Sequence, residues 1–133
     1  MIVGRCHCGA VSWQHRGPVT AATICNCTAC RRNGAIWAYG HQGVDVDLAA
    51  PEDGLIAYVQ GDRLLALLIC RTCGNLSAWR SLTTDGSAPR RMAVNLRLAE
   101  PAAVAAIPVK RFDGFDQWTT LPDRGWQVGD LMF

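Results

Sequence analysis

Residues 24–34 read Ile24-Cys25-Asn26-Cys27-Thr28-Ala29-Cys30-Arg31-Arg32-Asn33-Gly34, three cysteines within six positions followed at once by two arginines. Such a cluster holds a metal, closes a disulfide or lies inert in a core, and the remaining cysteines discriminate among these. They stand at Cys6, Cys8, Cys70 and Cys73, so the chain has seven in all, an odd number that fits poorly with a disulfide framework. The opening residues, Met1–Trp13, lack the basic start and sustained apolar run of a secretory signal, and the longest apolar run, Leu64–Cys70, is far too short to span a bilayer. A cytoplasmic location is therefore expected, where stable disulfides are rare. Metal ligation is the preferred reading.

At 133 residues the chain is expected to form one domain over 1–133, large enough for a core and small enough to gain from metal staples. Apolar residues make up 50% and charged residues 18%, the balance of a folded chain rather than a disordered one. The formal charge is +2 and no basic run exceeds Arg31-Arg32 or Arg90-Arg91, too little for a phosphate-binding surface. Neither nucleic acid nor a membrane is expected as a partner.

Short runs rich in β-branched and aromatic residues recur between Gly, Pro and Asp: Ile2–Val3, Ala10–Trp13, Ile36–Gly40, Leu55–Val59, Leu64–Cys70, Leu76–Trp79 and Met92–Leu98. The Gln60-Gly61-Asp62 segment reads as a hairpin turn. The pattern predicts a mostly β domain with two short helices. One is expected from a capping Thr28 to Gly34 and one between Pro101 and Pro108.

The cysteines fall into three groups. In extended backbone, residues i and i+2 share a face, so Cys6-His7-Cys8 and Cys25-Asn26-Cys27 can each present two sulfurs to one ion; Cys70-Arg71-Thr72-Cys73 can do so by curling its backbone. Cys8 is followed by Gly9 and Cys73 by Gly74, residues that tolerate the tight turn which aims N–H groups at sulfur. Cys6, Cys8, Cys70 and Cys73 therefore read as one closed, structural zinc site, able to contribute on the order of 10 kcal/mol to folding. Cys25, Cys27 and Cys30 remain. Three ligands leave one position of a tetrahedral zinc open, as catalysis requires, and three thiolates suit an ion that binds and ionises an incoming thiol. Arg31 and Arg32 are candidate contacts for an anionic substrate, although a solvated helix face is their ordinary role.

Beyond spacing, "GRCHCGAVSW" (4–13), "CNCTACRRNGA" (25–35), "CRTCGN" (70–75), "VNLRL" (94–98) and "VKRFDGFDQW" (109–118) resemble, in order and spacing, the glutathione-dependent formaldehyde-activating family, which includes the centromere protein V group. The resemblance covers about residues 2–118, leaving 119–133 as a tail. It implies a β-tent fold of short antiparallel coiled sheets carrying two zinc ions per chain, with the same partition of the cysteines. It also implies a carbon–sulfur lyase-type activity like that of S-(hydroxymethyl)glutathione synthase, which joins a glutathione-like thiol to a small aldehyde such as formaldehyde or releases it, in a monomer or homodimer. The chain departs from the family pattern at Asn26, where His is common, at Ile69, where an aromatic residue is usual, and at Lys110-Arg111 before Phe112-Asp113-Gly114.

Two alternatives stay open: a non-catalytic zinc module that binds another protein, and a redox-sensitive thiol cluster at Cys25–Cys30. His7 and His15 read as surface or core side chains, whereas His41 is a candidate to face the trio. Asp113 reads first as a turn former and second as a general base. The tail, from Trp118 to Phe133, keeps enough apolar residues to act as a lid or a dimer contact.

Overall fold

The structure is a computed structural model that describes every residue except Asp85, Ser87 and Phe133. Eleven strands and two short α-helices are present among the described residues. The chain runs through β1 (Ile2–Arg5), β2 (Ser12–His15), β3 (Ala22–Cys25), α1 (Thr28–Asn33), β4 (Trp37–His41), β5 (Val46–Ala49), β6 (Leu55–Val59), β7 (Leu65–Cys70) and β8 (Leu76–Ser81). It continues through β9 (Arg91–Asn95), a 3-10 turn (Leu96–Leu98), α2 (Pro101–Val104), β10 (Val109–Asp113), β11 (Thr119–Thr120) and a second 3-10 turn (Val128–Leu131). The mostly β expectation is borne out.

Two sheets result. A three-stranded sheet has the order β1-β2-β5, and an eight-stranded sheet runs β11-β10-β3-β4-β9-β8-β7-β6. All pairings are antiparallel except one: β10 lies parallel to β3, with Val109 beside Ala22 and Phe112 beside Cys25. Period-two alternation divides the large sheet into two faces. Ala38, Leu68, Ala78, Met92 and Val94 point into the main core, where Trp13 and Val46 of the small sheet meet them. Trp37, Leu67, Trp79 and Ala93 point the other way and are covered in part by Ala29 and Cys30 of α1. Tyr39, Tyr58 and Leu65 stand exposed on the same face.

Several boundaries differ from the sequence reading. The helix cap is Cys27 rather than Thr28: its sulfur accepts the Cys30 N–H, the role usually taken by a Ser or Asp oxygen. Strand β9 stops at Asn95, because the Asn95 side chain accepts the Arg97 N–H and turns 96–98 into a 3-10 turn. Helix α2 ends at Val104, its one buried residue, four residues short of Pro108. The tail packs back on the domain: β11 extends the sheet edge, Val128 is buried, and Trp126, Leu131 and Met132 pack on the core.

Candidate metal centres and their surroundings

The first sulfur group forms where the turn after β1 meets the turn after β7. Cys6 and Cys70 are buried, Cys73 is half-buried and Cys8 exposed, and all four Sγ atoms lie within 4.8 Å of one another. Cys6 Sγ and Cys8 Sγ are 3.5 Å apart, and Cys8 Sγ and Cys70 Sγ 3.6 Å. Four sulfurs at the usual zinc bond length of about 2.3 Å sit about 3.8 Å from one another, so these four lie closely enough together to hold such an ion. Gly9 and Gly74 have positive φ, 82° and 76°, and each donates its N–H to the carbonyl of the preceding cysteine pair's first member, Cys6 or Cys70, at 2.9 Å. These turns curl the chain around the sulfurs, as the glycine positions suggested. Backbone N–H groups of Asn75 and Cys8 hold the Cys73 thiol down, to about 6.

The second group is built where β3 runs into α1. Cys25 ends β3, Cys27 caps α1 and Cys30 lies in its first turn, and their Sγ atoms again fall within 4.8 Å. All three are half-buried. Among the described residues no fourth His, Cys, Asp or Glu joins them. Hydrogen bonds point at the sulfurs: Cys27 N–H to Cys25 Sγ at 3.4 Å, Cys30 N–H to Cys27 Sγ at 3.4 Å, and Trp37 Nε1–H to Cys30 Sγ at 3.3 Å. The Cys30 thiol, hydrogen-bonded to Cys25, brings Cys25 down to about 6, while the same contact and burial push Cys30 up. So close together, the three cannot all ionise unless a cation neutralises them. The donor set therefore fits a divalent, thiophilic ion.

The parallel pairing of β3 and β10 brings the segment after Phe112 over this trio. Asn26, the departure from the common His, ties the two together: its Nδ2–H donates to Asp113 Oδ1 at 2.9 Å and its Oδ1 accepts the Phe115 N–H at 3.0 Å. Asp113 also accepts the N–H groups of Phe115, Asp116 and Gln117 at 3.2, 3.2 and 3.0 Å. These bonds, the Gln117 N–H first, hold its carboxyl well below the usual range, to about 2. Asp113 is thus a loop organiser, and a carboxylate so committed is a poor base. Gly114 packs so closely that a Cβ there would lie 2.5 Å from Cys25 Sγ.

His41 belongs to neither group; it pairs with Asp45 at 3.3 Å on the exposed end of β4. His15 is buried and satisfied by the carbonyls of Gly17 and Tyr39, and His7 is exposed. Two cavities flank the trio. One, of about 340 Å³, is bounded by Cys25, Cys30, Arg31, Arg97, Arg111 and Trp126. Arg32, on the same helix, is exposed and is not among its walls. Arg97 and Arg111 escaped the sequence reading because they arrive from β9's end and from β10; Arg97 Nε donates to the Gly34 carbonyl and Arg111 lies 5.5 Å over the Trp126 ring. The other, of about 700 Å³, touches Cys27 and Cys30 from the opposite side.

A family model described as glutathione-dependent formaldehyde-activating enzyme matches residues 1–103. The chain belongs to that family. Among solved structures, the crystal structure of a Rhodobacter sphaeroides protein, a structural-genomics target, is 29% identical, with a TM-score of 0.62 over 80% of this chain and 98% of its own. None of the curated proteins compared matches. Both cysteine groups lie inside the matched span, and the loop at Asp113 and Gly114 lies beyond it. Among the described residues no helix is long and apolar enough to cross a membrane.

Proposed function

We propose that the protein is a zinc-dependent enzyme of the carbon–sulfur lyase type, which joins a small acidic thiol of the glutathione kind to a small aldehyde such as formaldehyde, or releases it. The observation that carries this reading is the trio Cys25, Cys27 and Cys30, three converging sulfurs with no fourth protein donor among the described residues, opening onto a cavity walled by Arg31, Arg97 and Arg111. Family membership supports it.

In this reading Cys6, Cys8, Cys70 and Cys73 hold a structural zinc and the trio holds a second. The second ion, when bound, supplies an open position that lowers the pKa of an incoming thiol. The chain's own residues do the rest. Arg31 and Arg111 receive the carboxylates of the thiol and aim its sulfur past Cys25 and Cys30, which lets both reactants meet in attack geometry. The thiolate sulfur then attacks the carbonyl carbon, the π pair moves to oxygen, and that oxygen takes a proton to give the hemithioacetal. Trp37 Nε1–H fixes Cys30 by donating to its sulfur.

The test combines metal content with catalysis. Wild type is expected to hold two zinc ions per chain and Cys27→Ser one, and only wild type should accelerate exchange between labelled formaldehyde and its glutathione adduct. Two ions in a protein that accelerates nothing, with either thiol or aldehyde varied, would leave a non-catalytic zinc module. Loss of metal with Cys25–Cys30 disulfide formation under mild oxidant would favour the redox cluster instead.

A further inference from the structure

The cavity on the Cys27 side lies over the large sheet's second face. Its floor is Tyr58, Leu65, Leu67 and Trp79, neighbours across β6, β7 and β8 on one side of the pleat. Its opposite wall is the loop after β10, which contributes Gly114, Phe115 and Trp118. Two features of that wall need a cause. Phe115 and Trp118 are 70% and 71% exposed, which large aromatic side chains rarely are. Trp118 also adopts a left-handed backbone, φ 54°, which costs a residue with a Cβ roughly 1 kcal/mol or more. Asp113 and Asn26 hold the loop firmly enough to keep that conformation, and the Trp118 ring is braced edge-on by Phe112 at 5.4 Å. An exposed, strained and well-braced indole facing Tyr58 and Trp79 across a cleft is a built surface for something flat and apolar.

Size and charge narrow the occupant. A space of about 150 Å³ takes benzene, and formaldehyde is closer to a water molecule, so about 700 Å³ is far more than formaldehyde requires. Charge directs the carboxylates of an acidic thiol elsewhere: this cavity has one arginine, Arg91, with Asp62 also on its rim, against Arg31, Arg97 and Arg111 around the other. The arginine-lined cavity on the other side of Cys30 takes that role. The surface is also a concavity ending at Cys27 and Cys30 of the trio, rather than a flat face made for a protein.

We propose that this cavity is the electrophile's subsite and that its substrate is an aldehyde bearing an aromatic group, added to a thiol held from the arginine side. The inference rests on the reading of the trio as a thiol-activating centre. The reaction is balanced without an oxidant or reductant: sulfur–carbon bond formation opens the C=O π bond, and the thiol's proton ends on oxygen.

The experiment uses the zinc-loaded protein, glutathione, and either 4-nitrobenzaldehyde or formaldehyde, each rate divided by its uncatalysed rate. In parallel, equilibrium dialysis measures binding of unreactive 4-nitrobenzyl alcohol. The aromatic aldehyde is expected to show at least tenfold greater acceleration than formaldehyde, and the alcohol to bind saturably at one site. Trp118→Gly, which relieves the backbone strain and so keeps the fold, and Tyr58→Ala on the facing wall should each lower the aromatic-to-formaldehyde ratio and the alcohol's affinity at least tenfold. Acceleration of formaldehyde alone, or binding that ignores both substitutions, overturns the aromatic subsite and leaves the thiol chemistry standing. A two-zinc protein that accelerates neither aldehyde removes both. A dimer that dissociates on Trp118→Gly would show instead that a second copy covers the face.

Discussion

Gly114→Ala isolates the trio from everything else in the protein. Gly114 has no left-handed requirement, so its lack of a side chain serves space alone. The added Cβ would sit 2.5 Å from Cys25 Sγ and 3.2 Å from Cys27 Cβ. A normal contact is about 3.5 Å or more, so the sulfur must retreat by about 1 Å. A thiol can do that by rotating about χ1, at little expense to the fold, but it then leaves the group. Metal–ligand distances tolerate only about 0.2 Å, and merely loosening a supporting contact weakens affinity about 10–100-fold. Losing one of three sulfurs should therefore weaken the trio's zinc at least a hundredfold, about 2.7 kcal/mol. Chelator competition followed with a zinc-responsive dye would resolve two populations in wild type and one tight ion in Gly114→Ala, with the melting temperature of the four-cysteine core little changed. Two equally tight ions in the variant would refute the reasoning, because the site would then not depend on the position of Cys25.

Other outcomes follow from the same geometry. Cys27→Ser should fold with one ion fewer, whereas Cys70→Ser, at a fully buried position, should be insoluble or unfolded; equal folding defects in the two would erase the distinction between the sites. Arg111→Ala should raise the KM for glutathione about 10–100-fold relative to an uncharged thiol such as 2-mercaptoethanol, as loss of a charge-assisted hydrogen bond does, and equal effects on both thiols would count against it. Asn95→Ala leaves the Ile36 N–H and the Leu76 carbonyl without their partners in the core and should cost about 2–4 kcal/mol in urea unfolding. For Asp113 the depressed carboxyl stabilises the folded loop fully above its ordinary pKa of 3.8, and that contribution is lost as pH falls through about 2. An acid titration should show this component in wild type and lack it in Asp113→Asn; identical acid profiles would disprove the loop role.

The chemistry of this chain was more legible than its architecture, for a physical reason. Metal-binding cysteines are spaced by local backbone geometry, so both groups could be read from neighbours two or three positions apart, and Gly9 and Gly74 were readable because a positive φ selects glycine. What surrounds the sulfurs depends on pairings between distant segments. Arg97, Arg111 and Trp37 reach the trio only through the neighbouring order of β10, β3, β4 and β9. The four residues of β3, Ala22–Cys25, and of β5, Val46–Ala49, are too short to show a period, and they become strands because partners complete them, β10 and β4 on the two sides of β3 and β2 beside β5. Asn26 looked like a defect in the motif and proves to be the strut between the trio and the loop after β10. The aromatic lining was hidden for a similar reason: Tyr58, Trp79 and Trp118 look like ordinary apolar anchors until register places them around one cleft.

The unequal reach of the two sulfur groups has a consequence during synthesis. The ligands of the trio span six positions, and all three exist once residue 30 has left the ribosome. The four-cysteine group joins Cys8 to Cys70, 62 positions apart, and β1 also waits for the bridge from Gly4 to Ala99. Closing so long a loop is slow compared with local capture. On the proposed two-zinc reading, the nascent chain thus presents its short-range cluster to the cell's zinc supply well before its long-range one can assemble. When zinc is scarce, the ion acquired first is the one least able to hold the protein together, so a starved cell should accumulate chains that carry one metal and still lack a locked fold.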